Sequence, residues 1–426
     1  MKNHEVLSTL FIGIDVSSKS NDVCALDFGQ TRYLQTSVTN NNPGAVSLAE
    51  QIVSVIKENP HFTKMVFALE STSCYSTHIA TFLSSSEILM PFAPYVYCLN
   101  PKAVANYKKS YIAIAKTDSI DSFILADFAR VGRINTEPWR GAQYLALQRL
   151  TRHRLHVVEA ITREKTYMLT NIFLKFSELA VSSSGEPPFC SNYGATASAV
   201  LTELLSPEDI VSMPYEQLVE FICTKSKNSF DNPTKVADLL RQAARNSYRL
   251  DECLYEPLTI SIASSFNCIN AFESELKKLN KAIEKAIRGF NTTEYQSLIS
   301  IPGIGPVYAS AILAEIGSVK AFRSNDAIAK YAGIVWNPQQ SGDFSASDSP
   351  MSKAGNRYLR YYLIEAANSV KNHESSFNAF YRKKFDEVKS HQHKRALALT
   401  SRKLIRLIFG LLDKNLLYSN RVELTT

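Results

Sequence analysis

An apolar run that ends on a carboxylate constrains this chain more than any other feature. LFIGIDV (residues 10–16) reads as a short strand whose end carries Asp15. NDVCALDF and TRYLQTSV follow, joined by a Gly-Gln turn, and read as an antiparallel hairpin. PGAVSLAEQIVSVIKEN has helical spacing, with Pro43 in its first turn. KMVFALE is a buried-type strand that again ends on a carboxylate, Glu70. A helix over Thr77–Ser84 and a strand over Tyr95–Leu99 come next, and Asn100-Pro101 has the cap-then-proline form of a helix start. The order is thus β-β-β-α-β-α-β-α.

That order, with a carboxylate closing the first strand, resembles the RNase H/RuvC-like nuclease fold. Two further carboxylates, Asp118 and Asp121, lie in AKTDSIDSFILADFAR at i, i+3, on one face at the start of a helix. Taken singly, each has a plain structural explanation: Asp118 as a helix cap, Asp15 as the start of a turn. In an RNase H-like arrangement, however, the first strand, the fourth strand and the last helix converge at one sheet edge. Four carboxylates meeting there repel one another unless cations neutralise them. Two Mg²⁺ ions balance four negative charges, and hard oxygen ligands suit that ion. The constellation points to phosphoryl transfer on nucleic acid.

Composition removes other classes. The 426 residues suffice for two or three domains, and 45% hydrophobic content is ordinary for a globular chain. No apolar run is long enough to span a bilayer, and MKNHEVLSTLFIGIDVSS lacks the build of a signal peptide, so no membrane and a cytoplasmic location are expected. The 7 cysteines are scattered without a C-x-x-C pair, and of the 8 histidines only His391 and His393 stand close. Thiolate or imidazole metal chemistry is disfavoured. The net charge of +7 gathers in Arg149, Arg152, Arg154, Arg163 and Lys165, in Lys353, Arg357 and Arg360, and in Arg382, Lys383 and Lys384. Such clusters suit a polyanion, with solvated helix faces as the alternative.

Four segments are expected: an α/β catalytic domain over 1–135, a long helical arm over 140–180, a helical linker region over 181–290, and a helical domain over 291–426. Residues 142–177 contain neither glycine nor proline, while Leu147, Leu150, Leu155, Val158, Ile161, Met168 and Ile172 recur at helical spacing. This predicts either a coiled-coil arm that dimerises or a helix packed on the chain's own later helices. VSSSGEPPFCSNYG (residues 181–194) is a break rich in Ser, Gly and Pro.

In the last segment, YQSLISIPGIGPVYASAILAEIG reads as helix, tight turn, helix. Gly303 and Gly305 let the backbone turn, and Pro306 suits the next helix's first position. N–H groups exposed at such a turn can hold a DNA phosphate, as in a helix-hairpin-helix; a simple interhelical turn is the alternative. SKAGNRYLRYYLIEAANSV then presents Lys353, Arg357 and Arg360 as a basic face for a nucleic-acid backbone, or as arginine at a core edge. Between these lies NPQQSGDFS, where Ser341 precedes a glycine; a serine there is ordinarily part of a turn.

Together, "GIDVSSKS", "ALES", "KTDSIDS", "IPGIGPVYASAILAEIG", "YAGIV…QQSG" and "SKAGNRYLRYYLIEAA", in that order, resemble the Piv/MooV-type insertion-sequence transposases, the DEDD transposases of the IS-one-ten group. The resemblance spans most of the chain apart from about residues 180–290. It implies that Asp15, Glu70, Asp118 and Asp121 form the family's metal-binding tetrad and that Ser341 is its nucleophile. It further implies transposition guided by a structured bridge RNA pairing with donor and target DNA, and dimers that assemble to tetramers with active sites shared between subunits. SGDFSASDSPMSK carries Asp343 and Asp348 where the family's loop is typically basic or glycine-rich.

A serine hydroxyl needs a base, a metal or a depressed pKa to attack, and no histidine lies near Ser341 in sequence. A metal-loaded acidic cluster supplies that need. With the serine nucleophile that the resemblance implies, the expected reaction is strand exchange through a phosphoserine ester. The absence of GxxxxGK[ST] agrees with an ATP-independent step, and the absence of zinc-finger spacing or an evident helix-turn-helix agrees with specificity supplied by base pairing. Three other readings stand beside it: a RuvC-like nuclease using water, a site-specific invertase of the Piv type, and a non-catalytic nucleic-acid-binding protein.

Overall fold

The structure is a computed structural model that describes residues 3–71, 74–111, 117–134, 138–182, 185–204, 206–289, 292–336, 340–341, 344–345 and 350–419. It is mostly helical, with one five-stranded sheet near the N-terminus. Residues Met1–Arg149 and Gly289–Thr426 form one compact unit, and Leu150–Arg288 form another.

The sheet consists of β1 (Thr9–Val16), β2 (Ser20–Leu26), β3 (Arg32–Thr39), β4 (Lys64–Glu70) and β5 (Pro94–Leu99). Its order is β3-β2-β1-β4-β5, with antiparallel pairing across β3-β2-β1 and parallel pairing across β1-β4-β5. This mixed topology is compatible with an RNase H-like domain. The short helix α1 (Asn3–Leu7) precedes β1, α2 (Asn42–Glu58) follows β3, and α3 (Ser76–Ser85) follows β4. Asn41 caps α2, its side chain accepting from the Gly44 amide at 2.9 Å. The helix opened by Asn100 and Pro101, α4, ends at Lys108, and Asp118 begins a separate helix, α5 (Asp118–Arg130).

Strand periodicity decides which residues meet which helices. Leu10, Ile12, Ile14 and Val16 point to one face, where they are buried with Leu48 and Ile52 of α2 and Ile79 and Leu83 of α3. Phe11 points the other way, into a core with Val66, Ala68, Leu99, Leu125, Phe128 and Ala129. Gly13 shares that second face, and a Cβ there would lie 2.1 Å from the Ser122 carbonyl oxygen. Helix α5 therefore rests on the bare backbone of β1.

In the second unit, α6 (Ala142–Lys175) enters from the first unit and is followed by α7 (Ser177–Val181), α8 (Ala195–Glu203), α9 (Pro207–Ser212), α10 (Tyr215–Ser226), α11 (Pro233–Asn246) and α12 (Glu252–Arg288). Met168 and Ile172 from the predicted apolar stripe are buried in one core with Val200, Ile222, Leu240, Ile262 and Phe266. Arg154 donates to Asn280 at 2.7 Å and Lys165 pairs with Glu273 at 3.1 Å, so α6 runs antiparallel to α12. At these positions the stripe packs on the chain's own later helices. Buried Lys175 donates to the carbonyls of Leu201 (2.6 Å) and Leu204 (2.8 Å) and to the Thr259 hydroxyl (2.7 Å), closing the C-terminal end of α8.

The C-terminal part comprises α13 (Thr293–Ile299), α14 (Pro306–Ile316), α15 (Asn325–Ala332), α16 (Arg357–His373), α17 (Ser375–Asp386) and α18 (Gln392–Lys414). Helix α16 packs against α14, α15, α17 and α18, burying Leu359, Tyr362, Leu363, Ala366, Ala367 and Val370. Strands β6 (Gln340–Ser341) and β7 (Phe344–Ser345) pair in a small hairpin. Among the described residues no helix is long and apolar enough to cross a membrane.

Candidate active site

Strand alternation puts Asp15 on the same sheet face as Phe11 and Gly13, and Glu70 on the same face as Val66 and Ala68. Helix α5 covers that face with its N-terminus toward the same sheet end, so Asp118 and Asp121 in its first turn come to Asp15. Carboxylates in a first helical turn are also favoured by the helix dipole. The Asp15 carboxyl is pushed up to about 6, first by burial and then by the negative charges of Asp121, Asp118, Glu70 and Asp22. Glu70 is raised too, first by burial and then by Asp121, against a lowering pull from Lys108. All four acidic residues singled out from the sequence thus share one electrostatic neighbourhood.

Asp22 is a fifth member. It lies directly opposite Asp15 in the β1–β2 register, so both side chains leave the sheet on the same face. The β1–β2 hairpin register could have revealed it: Ser17 to Ser20 form the turn, with the Ser20 amide donating to the Ser17 hydroxyl at 2.9 Å, and counting back from there pairs the two aspartates.

Two more residues lay outside the sequence reading. Lys108, the last residue of α4, forms an ion pair with Asp121. Asp127, on the third turn of α5 and almost fully buried, accepts from the hydroxyls of Tyr107 (2.5 Å) and Tyr111, from Gln30 (2.9 Å) and from Arg130 (2.7 Å). Burial opposes its ionisation, but these donors prevail and hold its carboxyl below the usual range. Asp127 therefore anchors the end of α4 to α5 from both sides of Lys108.

The donor set has the chemistry of a hard divalent-cation site: crowded carboxylate oxygens whose mutual repulsion a cation relieves. Among the described residues no group of three or more His, Cys, Asp or Glu side chains gathers closely enough to hold a metal ion. The Lys108 ammonium stands next to Asp121 and acts on Glu70.

Ser341 lies on β6, opposite Phe344 on β7; the side chains of this hairpin are outside the described residues. The base of its loop is well defined. Trp336 bridges to Met351, the Ser352 amide donates to the Val335 carbonyl (2.8 Å), the Lys353 amide to Gly333 (3.1 Å) and the Asn356 amide to Tyr331 (2.7 Å). Gly333, at φ +71°, would bring a Cβ within 2.9 Å of the Lys353 backbone, so the two legs of the loop press together there. Asn356 caps α16 and donates to the buried carboxylate of Glu315 at 2.7 Å.

The basic residues divide. Arg360 donates to the carbonyls of Ala332 (2.9 Å) and Lys353 (2.8 Å), one on each leg of that base. Arg357 is exposed, its guanidinium 5.3 Å from the Tyr358 ring centre, and Lys353 is exposed. At the α13–α14 turn Gly303 (φ +95°) faces α16, where a Cβ would meet the Val370 Cα at 2.8 Å. Gly305 is exposed with open space around it.

Comparison with known proteins adds identity to this geometry. A family model described as a transposase, of the DEDD type named for IS110, matches residues 12–174, and a second, described as the transposase IS116/IS110/IS902 family, matches residues 295–382. The insertion element IS900 uncharacterized 42 kDa protein of Mycobacterium paratuberculosis is 26% identical over 312 residues, 72% of this chain and 74% of that protein. The insertion element IS116 uncharacterized 44.8 kDa protein of Streptomyces clavuligerus is 22% identical over 415 residues, 96% of each chain. The pilin gene-inverting protein of Moraxella lacunata is 26% identical over 199 residues, 45% of this chain and 61% of that protein.

Proposed function

Because this chain belongs to the IS110-type DEDD transposases, we propose that it moves an insertion sequence by cutting and rejoining DNA through a serine-linked intermediate. Transposases break and join DNA strands, so the chain is a DNA-cleaving and DNA-joining enzyme. The observation that carries the finer reading is the gathering of Glu70, Asp118 and Asp121 around Asp15 at one sheet end.

In this reading Asp15, Glu70, Asp118 and Asp121 hold divalent cations, Mg²⁺ by the hardness of their oxygens. Cations held by these carboxylates would supply Lewis-acid polarisation of a phosphodiester and charge to offset what builds on it during displacement. Ser341 attacks the scissile phosphorus. Its Oγ–P bond forms as the bond from phosphorus to the departing strand's oxygen breaks, and the serine proton ends on that oxygen by way of the acidic side chains or solvent. The ester conserves the phosphodiester linkage, so a hydroxyl of another strand reverses the step without ATP. Arg360 and the Glu315–Asn356 pair brace the base of the serine loop.

The family resemblance supports the remaining parts: a structured bridge RNA that pairs with donor and target DNA, and dimers that assemble to tetramers, the serine of one subunit serving the acidic pocket of another. Residues 1–135 are then the RuvC-like catalytic domain and 140–180 a long helical arm whose stripe at Met168 and Ile172 is already buried in the chain's own core. Residues 181–290 are a helical linker region, and 291–426 the transposase domain with a helix-hairpin-helix at α13–α14. Exposed Gly305, Lys353 and Arg357 suit nucleic-acid backbone contacts.

Incubation of the full chain with labelled element-end DNA and Mg²⁺ tests the mechanism. A covalent protein–DNA adduct is expected for the wild type and none for Ser341→Ala or Asp15→Asn. Strand cleavage that survives in Ser341→Ala identifies a water-using nuclease instead. Sequencing of RNA that co-purifies with the chain tests guidance, and recovery of random cellular fragments alone counts against it. Similarity to the pilin gene-inverting protein favours one other reading, inversion of a DNA segment by the same chemistry. An invertible segment beside the gene, in place of terminal non-coding sequence, distinguishes it.

A further inference from the structure

Lys108 is not placed as surface lysines usually are. Its ammonium is bonded to Asp121, and its charge acts on Glu70 as well. Its side chain is only 33% exposed. The residues around it are clamped: the Tyr107 and Tyr111 hydroxyls both donate to Asp127, and the Tyr107 ring meets Phe128 edge-on with centroids 5.1 Å apart. Val104, one turn earlier, is buried in the core against α5. The end of α4 is thus fixed on α5, and the lysine it carries is aimed at the acidic pocket. An isolated exposed ion pair needs no such support and contributes little.

The ammonium is also a charge that a cation bound at Asp121 would meet. It is a hard monovalent cation bonded to one of the carboxylates that a divalent ion would need. Resting on the assignment of the acidic cluster as a cation pocket, we infer that Lys108 is a tethered counter-ion: it occupies the Asp121 corner until a divalent ion displaces it, and so sets the ion concentration at which the pocket loads. It is a positioning residue that acts through Asp121 and has no part in bond breaking.

Mn²⁺ titration of the full-length chain, followed by the electron paramagnetic resonance signal of free Mn²⁺, tests this. Lys108→Gln removes a competing charge adjacent to the ion and is expected to tighten binding on the order of tenfold. Lys108→Arg keeps the charge and is expected to stay near the wild-type affinity. Equal or weaker binding by Lys108→Gln overturns the inference while leaving the cation pocket in place. If neither wild type nor Lys108→Gln binds Mn²⁺, or if Asp121→Asn binds as well as the wild type, the pocket assignment itself fails and the inference with it. A second measurement does not depend on a variant folding. Lys108 should react slowly with an amine-directed label in the ion-free wild type and faster with saturating Mn²⁺, as read by peptide mass spectrometry; unchanged reactivity overturns the displacement.

Discussion

Gly13→Ala tests the contact that seats α5, with Asp118 and Asp121, on β1. Gly13 lies mid-strand in β1, between Cys24 on β2 and Ala68 on β4. A methyl group there would stand 2.1 Å from the Ser122 carbonyl oxygen and 2.3 Å from the Ala126 amide nitrogen, both backbone atoms of α5. Ordinary contact begins at 3.4 Å, so the helix must retreat by about 1.3 Å. No rotamer change relieves a clash with backbone, so the cost belongs at the upper end of overpacking, about 3 kcal/mol. Asp118 and Asp121 ride on α5 and move with it, and if they hold the proposed cations, a displacement of about 1 Å at the reacting centre costs on the order of 100-fold in rate. The assay is Mg²⁺-dependent strand cleavage well below the melting temperature, beside urea denaturation. Cleavage should fall about 100-fold in a chain still folded by circular dichroism. Gly410→Ala is the control: it lies inside α18 with nothing within 4 Å, and should keep full activity and equal or greater stability. A Gly13→Ala chain with the wild-type rate and denaturation midpoint would refute the close seat of α5 on β1.

In the metal-free chain, the raised Asp15 carboxyl makes stability pH-dependent. With its carboxyl pushed up to about 6 from an ordinary 3.8, its stabilising contribution is complete below about pH 4 and is lost as pH rises through 6. Urea midpoints at pH 4 and pH 7 should therefore differ less for Asp15→Asn than for the wild type; an identical difference contradicts the crowding of charge around Asp15. Arg360→Ala should cost about 2 kcal/mol, since two carbonyls lose a charged donor. It should also speed hydrogen exchange of the Ser352 and Lys353 amides at the base of the serine loop, and unchanged exchange would show that Arg360 does not brace it. Lys175→Met leaves the Leu201 and Leu204 carbonyls without their buried donor, for an expected loss of about 3 kcal/mol by urea denaturation. A loss below about 1 kcal/mol would mean that water or neighbouring groups replace the ammonium.

Much of the site can be read along the chain because strands and helix starts are local. Alternation in LFIGIDV and KMVFALE puts Asp15 and Glu70 at strand ends on one face, and the i, i+3 spacing of Asp118 and Asp121 puts both in one helical turn. The order of short motifs from GIDVSSKS to SKAGNRYLRYYLIEAA already carries the family resemblance, and family models match residues 12–174 and 295–382. What stayed hidden depends on which face meets which element. The apolar stripe of α6 is the same whether it meets another subunit or the chain's own core, and only packing assigns Met168 and Ile172 to the second.

Asp22 acquires a role through strand register, Lys108 through the seating of α4 on α5, and Arg360 through the two loop legs that close around it. By itself, then, the amino-acid order determined the local elements, the acidic positions and the family. Tertiary structure decided which charges share a pocket and which are spent as struts. The physical reason is range: propensity and periodicity act over a few residues, whereas electrostatic crowding and backbone contact depend on distances that exist only once distant segments have packed.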